Sequence, residues 1–365
     1  GRLGTVNADG GEPRFIGESL ARTFLFPAWS PDGARIAVLG LDDSGGGVYV
    51  LEDAAQGATE ELYRSQIAAP IYLYWRPDGE AVSYIASGEN GLNLFLSSIA
   101  GDDEPQLLVE GQPLYWDWLD NQSRMLVHTG TPLRGGQLTA IDTGSGATPE
   151  FEAGEPGFFQ APSVSLQGEN VAYGEVDNGN RSIALHNLDT GEVKRAAHEG
   201  AAAMSWSPVE QKLAFISPEE DRPGIGFSFY GPLRLLDAAT GAVDVLIDDD
   251  VLAFFWAPDG QSIAFFTVSS RGAEQVARAE AGGLWRNSGK VRRQPEGLFL
   301  NLSIVQVAGG QFHSLIDFEP TEIFLTQFLP FFDQYALSHH LWAPDSQALV
   351  LPLSLIHISE PTRPY

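Results

Sequence analysis

The chain contains no cysteine among its 365 residues, which excludes disulfides and thiolate metal centres. Cationic residues are scarce: 21 Lys and Arg stand against 48 Asp and Glu, a formal net charge of −27. A surface of that sign repels phosphate backbones and anionic lipid, so no nucleic-acid partner is expected. No run of residues is long and apolar enough to span a membrane as a helix. Several catalytic signatures are missing too. There is no Gly-x-Ser-x-Gly nucleophile elbow, no phosphate-binding Gly-Lys-Ser/Thr loop and no His-Glu-x-x-His zinc helix.

What is abundant points elsewhere. Glycine (40) and proline (23) are plentiful, 43% of residues are hydrophobic and only 19% are charged. That balance suits an all-β chain with many turns and a sizeable core. One pattern recurs. It reads Trp29-Ser30-Pro31-Asp32-Gly33 before Arg35-Ile36-Ala37-Val38, Trp75-Arg76-Pro77-Asp78-Gly79 before Val82-Ser83-Tyr84, and Trp256-Ala257-Pro258-Asp259-Gly260 before Ile263-Ala264-Phe265. Weaker copies start at Trp118, Val164, Trp206 and Trp342, so the anchors lie 46, 43, 46, 42, 50 and 86 residues apart. Periods of this size belong to propeller blades. Proline fixes φ in the turn, aspartate bonds to nearby backbone, and glycine takes a left-handed conformation. Each aromatic anchor is expected to be buried between blades, Trp29 included. Trp285, which falls outside the pattern, is expected to contribute little.

The Trp-Ser-Pro-Asp-Gly turn followed by a short apolar strand resembles the TolB-like, WD-like propeller repeats of bacterial proteins. The resemblance implies four-stranded antiparallel blades and, for location, a periplasmic or other extracytoplasmic site. Six blades start at residues 29, 75, 118, 164, 206 and 256. Trp342 starts a seventh, which the N-terminal strands Leu3–Val6 and Pro13–Ile16 would complete as third and fourth strands. Joining the termini in one sheet would remove two exposed edges. The expectation is therefore one propeller domain over residues 1–352 with seven blades, or eight in the intact gene. Residues 353–365 are set apart, because Leu353–Arg363 (LSLIHISEPTR) resembles a translated sequencing adapter. Gly1 in place of an initiator Met leaves room for an upstream segment.

The 86-residue gap implies an insertion at about 269–297, between a second strand and a third strand at Leu300–Val307. It carries Arg271, Arg278, Arg286, Lys290, Arg292 and Arg293. In a meander the long loops share one face: 41–47, 129–136, 154–162, 218–227, 269–297 and 329–337. Function concentrates on long loops, so the candidate binding face comprises Arg134, Arg181, Arg222, Arg271, Arg278, Trp285 and Arg286. His339 and His340 are expected on an inner strand, pointing to opposite faces, as hydrogen-bonded side chains and not metal ligands. Asp177–Asn180 and Asp248–Asp250 are read as turns and solvated loops, since neither has EF-hand spacing. No cofactor, metal or catalytic residue is expected. The leading reading is a monomeric, non-catalytic binding or scaffold propeller with a protein or peptide partner in the cell envelope. The alternatives are the propeller domain of a larger enzyme, such as a serine peptidase, and an enzyme that uses channel carboxylates.

Overall fold

The computed structural model describes residues 2–5, 14–18, 21–53, 59–88, 91–100, 104–120, 123–130, 136–146, 156–157, 161–166, 168–219, 227, 229–269, 298–349 and 356–357. Contacts divide the chain into two compact units: residues 1–162 with Leu337–His340, and residues 163–336 with 341–365.

The first unit opens with a hairpin of β1 (Arg2–Thr5) and β2 (Arg14–Glu18). A four-stranded meander follows: β3 (Thr23–Trp29), β4 (Arg35–Asp42), β5 (Gly45–Glu52) and β6 (Thr59–Ser65). A second meander comprises β7 (Pro70–Trp75), β8 (Ala81–Gly88), β9 (Gly91–Ser98) and β10 (Gln106–Gly111). A third has β11 (Leu114–Trp118), β12 (Arg124–Thr129) and β13 (Gln137–Asp142). All neighbours are antiparallel. Each sheet is apolar on both faces, as the short apolar strands after each turn require. Leu39, Val48 and Val50 of one sheet meet Leu73, Val82 and Tyr84 of the next in a single core cluster. On the other face of the first sheet, Ile36, Val38, Tyr49 and Leu51 receive Leu3 and Ile16 of the hairpin. Fully burying one such side chain contributes about 1.5–3 kcal/mol.

The second unit begins with β14 (Ser163–Val164), β15 (Asn170–Asp177), β16 (Asn180–Asn187) and β17 (Val193–Ala197). β15 and β16 are joined through Asn178 and Gly179, both at positive φ (49° and 85°). That is the hairpin geometry an Asn-Gly pair favours. The remaining strands form one continuous eight-stranded sheet: β18 (Ala203–Trp206), β19 (Lys212–Ile216), β20 (Gly231–Asp237), β21 (Val243–Trp256), β22 (Ser262–Val268), β23 (Leu300–Gln306), β24 (Phe312–Pro320) and β25 (Ile356–His357). The sheet is continuous because the 14-residue β21 serves two meanders, pairing with β20 through its first half and β22 through its second. Asp248–Asp250, expected in a loop, therefore lie inside a strand; the neighbouring strands pair with apolar residues on either side of them. β22 pairs directly with β23 across the long insertion, from Ser262↔Gln306 to Val268↔Leu300. β25 falls within the C-terminal segment that was set apart, and it pairs with the end of β24.

The repeated turns have one construction. Gly33, Gly79, Gly168 and Gly260 each donate N–H to the carbonyl three residues back, with φ of 70°, 75°, 71° and 68°. Aspartate carboxylates at 32, 78, 259 and 345 accept the N–H two residues on, at 2.9–3.0 Å. In the last copy Ser346 takes the glycine position, at φ 61°.

The anchors explain why the motif carries tryptophan. The indole N–H of Trp75 donates to the Ala28 carbonyl, one residue before the previous anchor (2.9 Å). In the second unit Trp206 donates to Ser163, Trp256 to Ser205 and Trp342 to Phe255, at 3.0, 3.1 and 2.9 Å and in the same relative position each time. The third copy departs. Ser83 Oγ donates to the Tyr74 carbonyl, the Trp116 indole donates to Ser83 Oγ, and the buried Trp118 indole N–H has no partner among the described residues. Trp29 corrects the expectation of burial: it is 48% exposed.

Residues 323–338 are a second correction. The expected loop at 329–337 is helical: a π turn (Phe324–Phe328) leads into a 3-10 turn (Leu329–Phe331) and α1 (Phe332–Ser338). Phe324, Phe328 and Phe332 recur at four-residue spacing, which places them on one helical face. Phe324 packs on Phe266 and Phe318, and Phe328 stacks on Phe255. Phe332 meets Phe229 and Phe254. His339 lies just beyond α1, off any strand. Its Nε2–H donates to the Phe26 carbonyl (3.1 Å), so its Nδ1 accepts from Ser338 Oγ (2.6 Å), which accepts from Tyr72 OH (2.7 Å). Burial holds His339 neutral, its pKa lowered to about 4 by desolvation and only partly offset by the Phe26 carbonyl, which favours the charged ring.

Two outcomes follow from these contacts. Trp75→Phe removes the indole bond that the Ala28 carbonyl accepts, whereas Trp118→Phe removes none among the described residues. The first is expected to cost about 0.5–1.5 kcal/mol more than the second in guanidinium denaturation, while Trp29→Ala stays within about 1 kcal/mol of the parent. For His339, the folded pKa lies below the unfolded value of about 6.5. Its neutral form therefore contributes stability that is present above pH 6.5 and lost as pH falls toward about 4. Melting temperature should drop over that window, and His339→Gln should flatten the drop.

Candidate functional site

A concavity of the second unit lies on the face of β22–β24 against the end of the first half of β21. It encloses about 520 Å³. Its floor is two cross-strand rows: Phe265, Ser303 and Ser314, then Thr267, Asn301 and Asp317. Period-two alternation sets this face. Leu300 and Leu302 turn away from Asn301 and Ser303 along β23, so a strand that is apolar on one side is amide and hydroxyl on the other. The opposite wall is Leu246–Asp249, and Gly310 in the β23–β24 turn closes one end, where an added Cβ would lie 3.5 Å from the Leu246 carbonyl.

Asn301 organises the floor. Its amide donates to Ser314 Oγ (2.6 Å) and Asp317 Oδ1 (2.8 Å), and its carbonyl oxygen accepts from Ser303 Oγ (2.6 Å). The cleft thus presents three carboxylates, Asp248, Asp249 and Asp317, with no Lys, Arg or His among the residues that line it. Phe265 and the 62%-exposed Phe312 add aromatic surface. The Ser303 and Ser314 hydroxyls are engaged by the Asn301 amide, not by a base, so the geometry there suits recognition of a cationic, hydrogen-bonding group more than nucleophilic chemistry. Among the described residues no three His, Cys, Asp or Glu side chains are grouped to hold a metal ion, and no helix is long and apolar enough to cross a membrane.

The residues expected from sequence fall elsewhere. Arg181 is described: it is exposed at the start of β16, and its carbonyl accepts the His198 N–H (3.2 Å). Arg134, Arg222, Arg271, Arg278, Trp285 and Arg286 lie outside the described residues. Two other arginines mark the loop after β4. Arg64 binds Asp42 (2.8 Å) and Tyr49 OH (2.7 Å), and the Arg22 guanidinium sits 3.9 Å over the Tyr49 ring. Hydrogen bonds from Ser44, then Arg64, hold the Asp42 carboxyl well below the usual range. These arginines are occupied within the sheet. The signals for the cleft were the Asp248–Asp250 run and the polar Asn301 and Ser303 in an apolar strand, but neither shows by itself that the two face each other.

No family model matches the chain. It is 27% identical over 327 residues to Dipeptidyl-peptidase 5 of Porphyromonas gingivalis, covering 81% of this chain and 43% of that protein. The chain therefore spans less than half the length of the curated relative it matches. Among solved structures, the β-propeller domain of the Trilobed protease from Pyrococcus furiosus superposes with a TM-score of 0.52 at 12% identity, over 87% of this chain and 90% of that one. TolB from Acinetobacter baumannii is a more distant likeness, at a TM-score of 0.42 and 18% identity over 66% and 58% of the two chains. With the antiparallel meanders, the first of these structures establishes an all-β, propeller fold.

The Asn301 hub has a measurable consequence. Asn301→Ala leaves Ser303, Ser314 and Asp317 without their shared partner, and is expected to cost about 1–3 kcal/mol. Asn301→Gln should not restore it, because the longer side chain cannot meet all three at these distances. Chemical denaturation of both variants checks this.

Proposed function

We propose that this chain is a non-catalytic β-propeller that binds a protein or peptide partner. The observation that carries the reading is the cleft of the second unit, whose hydroxyl, amide and carboxylate groups are arranged for recognition. A rigid stack of meanders with a polar concavity between strand ends is a common setting for a binding site. The basic long-loop face expected from sequence, with the insertion at 269–297, remains a second proposed contact region. A location outside the cytoplasm is proposed from the repeat's resemblance to TolB-like propellers alone.

A second reading is favoured by one finding. The likeness to a dipeptidyl-peptidase covers most of this chain and under half of that protein, which suits a propeller that works beside a catalytic domain in a larger enzyme. Propellers alone do not define an activity, so that reading rests on the relative and not on the fold.

The two share one expectation. The purified chain should release no chromophore from dipeptidyl p-nitroanilides and leave test peptides intact by mass spectrometry. Turnover that co-purifies with the chain would overturn the non-catalytic reading. A Gly-x-Ser-x-Gly segment in the same open reading frame would favour the second reading over the first.

A further inference from the structure

Two independent features meet at β24. The first is the acidic cleft, which runs out to this strand through Phe312, Ser314 and Asp317. The second is the strand's outer edge. It already accepts a strand: β25 pairs antiparallel through Glu319↔His357 and Pro320↔Ile356. From Phe312 to Phe318 that edge pairs with no strand among the described residues. Its guards are a bulge opposite Leu302 and Ser303, the carboxylates of Asp317 and Glu319, and Pro320 at its end. The sequence Phe312–Pro320 contains no Lys or Arg, and Phe312 and Leu315 are exposed.

We infer that the outer edge of β24 takes an extended, basic peptide as an added antiparallel strand, with its Arg or Lys side chains in the cleft. Backbone hydrogen bonds along an open edge supply affinity that is independent of sequence, and pockets for alternate side chains supply selectivity. A strand added beside β24 places its same-face side chains about 4.5–5.5 Å from those of Ser314 and Asp317, and long side chains reach further along the diagonal. Alternate residues of such a peptide therefore enter the cleft. There they meet Asp317 on the floor and Asp248 and Asp249 on the wall, in a cleft whose described lining residues include no Lys, Arg or His. The exposed ring of Phe312 offers a face for a guanidinium. This inference rests on the binding reading above and gives it a ligand class.

The test uses the full chain and a fluorescein-labelled peptide of alternating Val and Arg, followed by anisotropy at low and high salt. Two altered peptides separate the contributions. In one, citrulline replaces each Arg, keeping shape without charge. In the other, alternate amides are N-methylated, keeping charge without strand hydrogen bonds. The expected result is saturable binding that each alteration weakens by roughly tenfold or more. The variant Asp248→Asn/Asp249→Asn/Asp317→Asn should weaken the parent peptide by a similar factor. Glu60→Gln/Glu110→Gln/Glu199→Gln, which removes as much charge from exposed sites elsewhere, should not. Circular dichroism confirms that both variants are folded; should the first be unfolded, the two altered peptides decide alone on the parent protein. Absence of saturable binding, or equal binding of the citrulline peptide, overturns the basic ligand. Equal binding of the N-methylated peptide overturns strand addition. Mass spectrometry of the recovered peptide keeps the two ideas apart: cleavage counts against the non-catalytic reading, and lack of binding to an intact peptide counts against this inference alone.

Discussion

The interaction on which each unit depends is the bond from one anchor's indole N–H to the carbonyl just before the previous anchor. Packed sheets can slide past one another at little cost while their contacts are only apolar, because dispersion and burial are not directional. A buried N–H···O bond is directional, and leaving it unmade costs the desolvation of both groups. Repeated at Trp75, Trp206, Trp256 and Trp342 with the same one-residue offset, it fixes the stagger between successive meanders. The turns then follow. With the anchor's position set, the Pro-Asp-Gly residues have a fixed distance in which to reverse the chain, and a left-handed glycine is the least strained way to do it.

The third copy shows how much latitude this allows. There Ser83 occupies the carbonyl that Trp118 would use, and Trp116, two residues earlier, reaches Ser83 instead. The stagger is kept by a relay through a hydroxyl. The turn also departs from the motif, since Asp120 now caps the chain by accepting from the N–H groups of Ser123 and Arg124.

Much of the architecture was legible because it is local. The repeat spacing, the turn residues and the short apolar strands that follow them each have a short-range cause, and the third strand after the insertion falls where the apolar pattern put it. The failures have physical reasons. Trp29 matches the motif fully, but burial depends on what covers a side chain, which the motif does not encode. The helical turns at 323–338 were hidden by the expectation that every blade contains only strands, although Phe324, Phe328 and Phe332 carry the helical period. The Asp248–Asp250 run has the composition of a loop; its strand conformation is imposed by β20 and β22 on either side. The cleft required knowing that this run faces Asn301 across about 50 residues of sequence, a juxtaposition that only tertiary structure supplies. The candidate basic face was drawn from loops, of which only Arg181 falls among the described residues.

The double duty of β21 reaches beyond geometry. A strand that closes one meander and opens the next makes their hydrogen-bond ladders one object, so neither can fray without the other losing a partner. In a repeat protein, where each module ordinarily opens on its own terms, these two modules become a single cooperative block. Amide exchange along β19 to β23 would then report one shared opening event, and the cleft, framed by both halves of the block, keeps its floor and its wall in register for as long as the block stays closed.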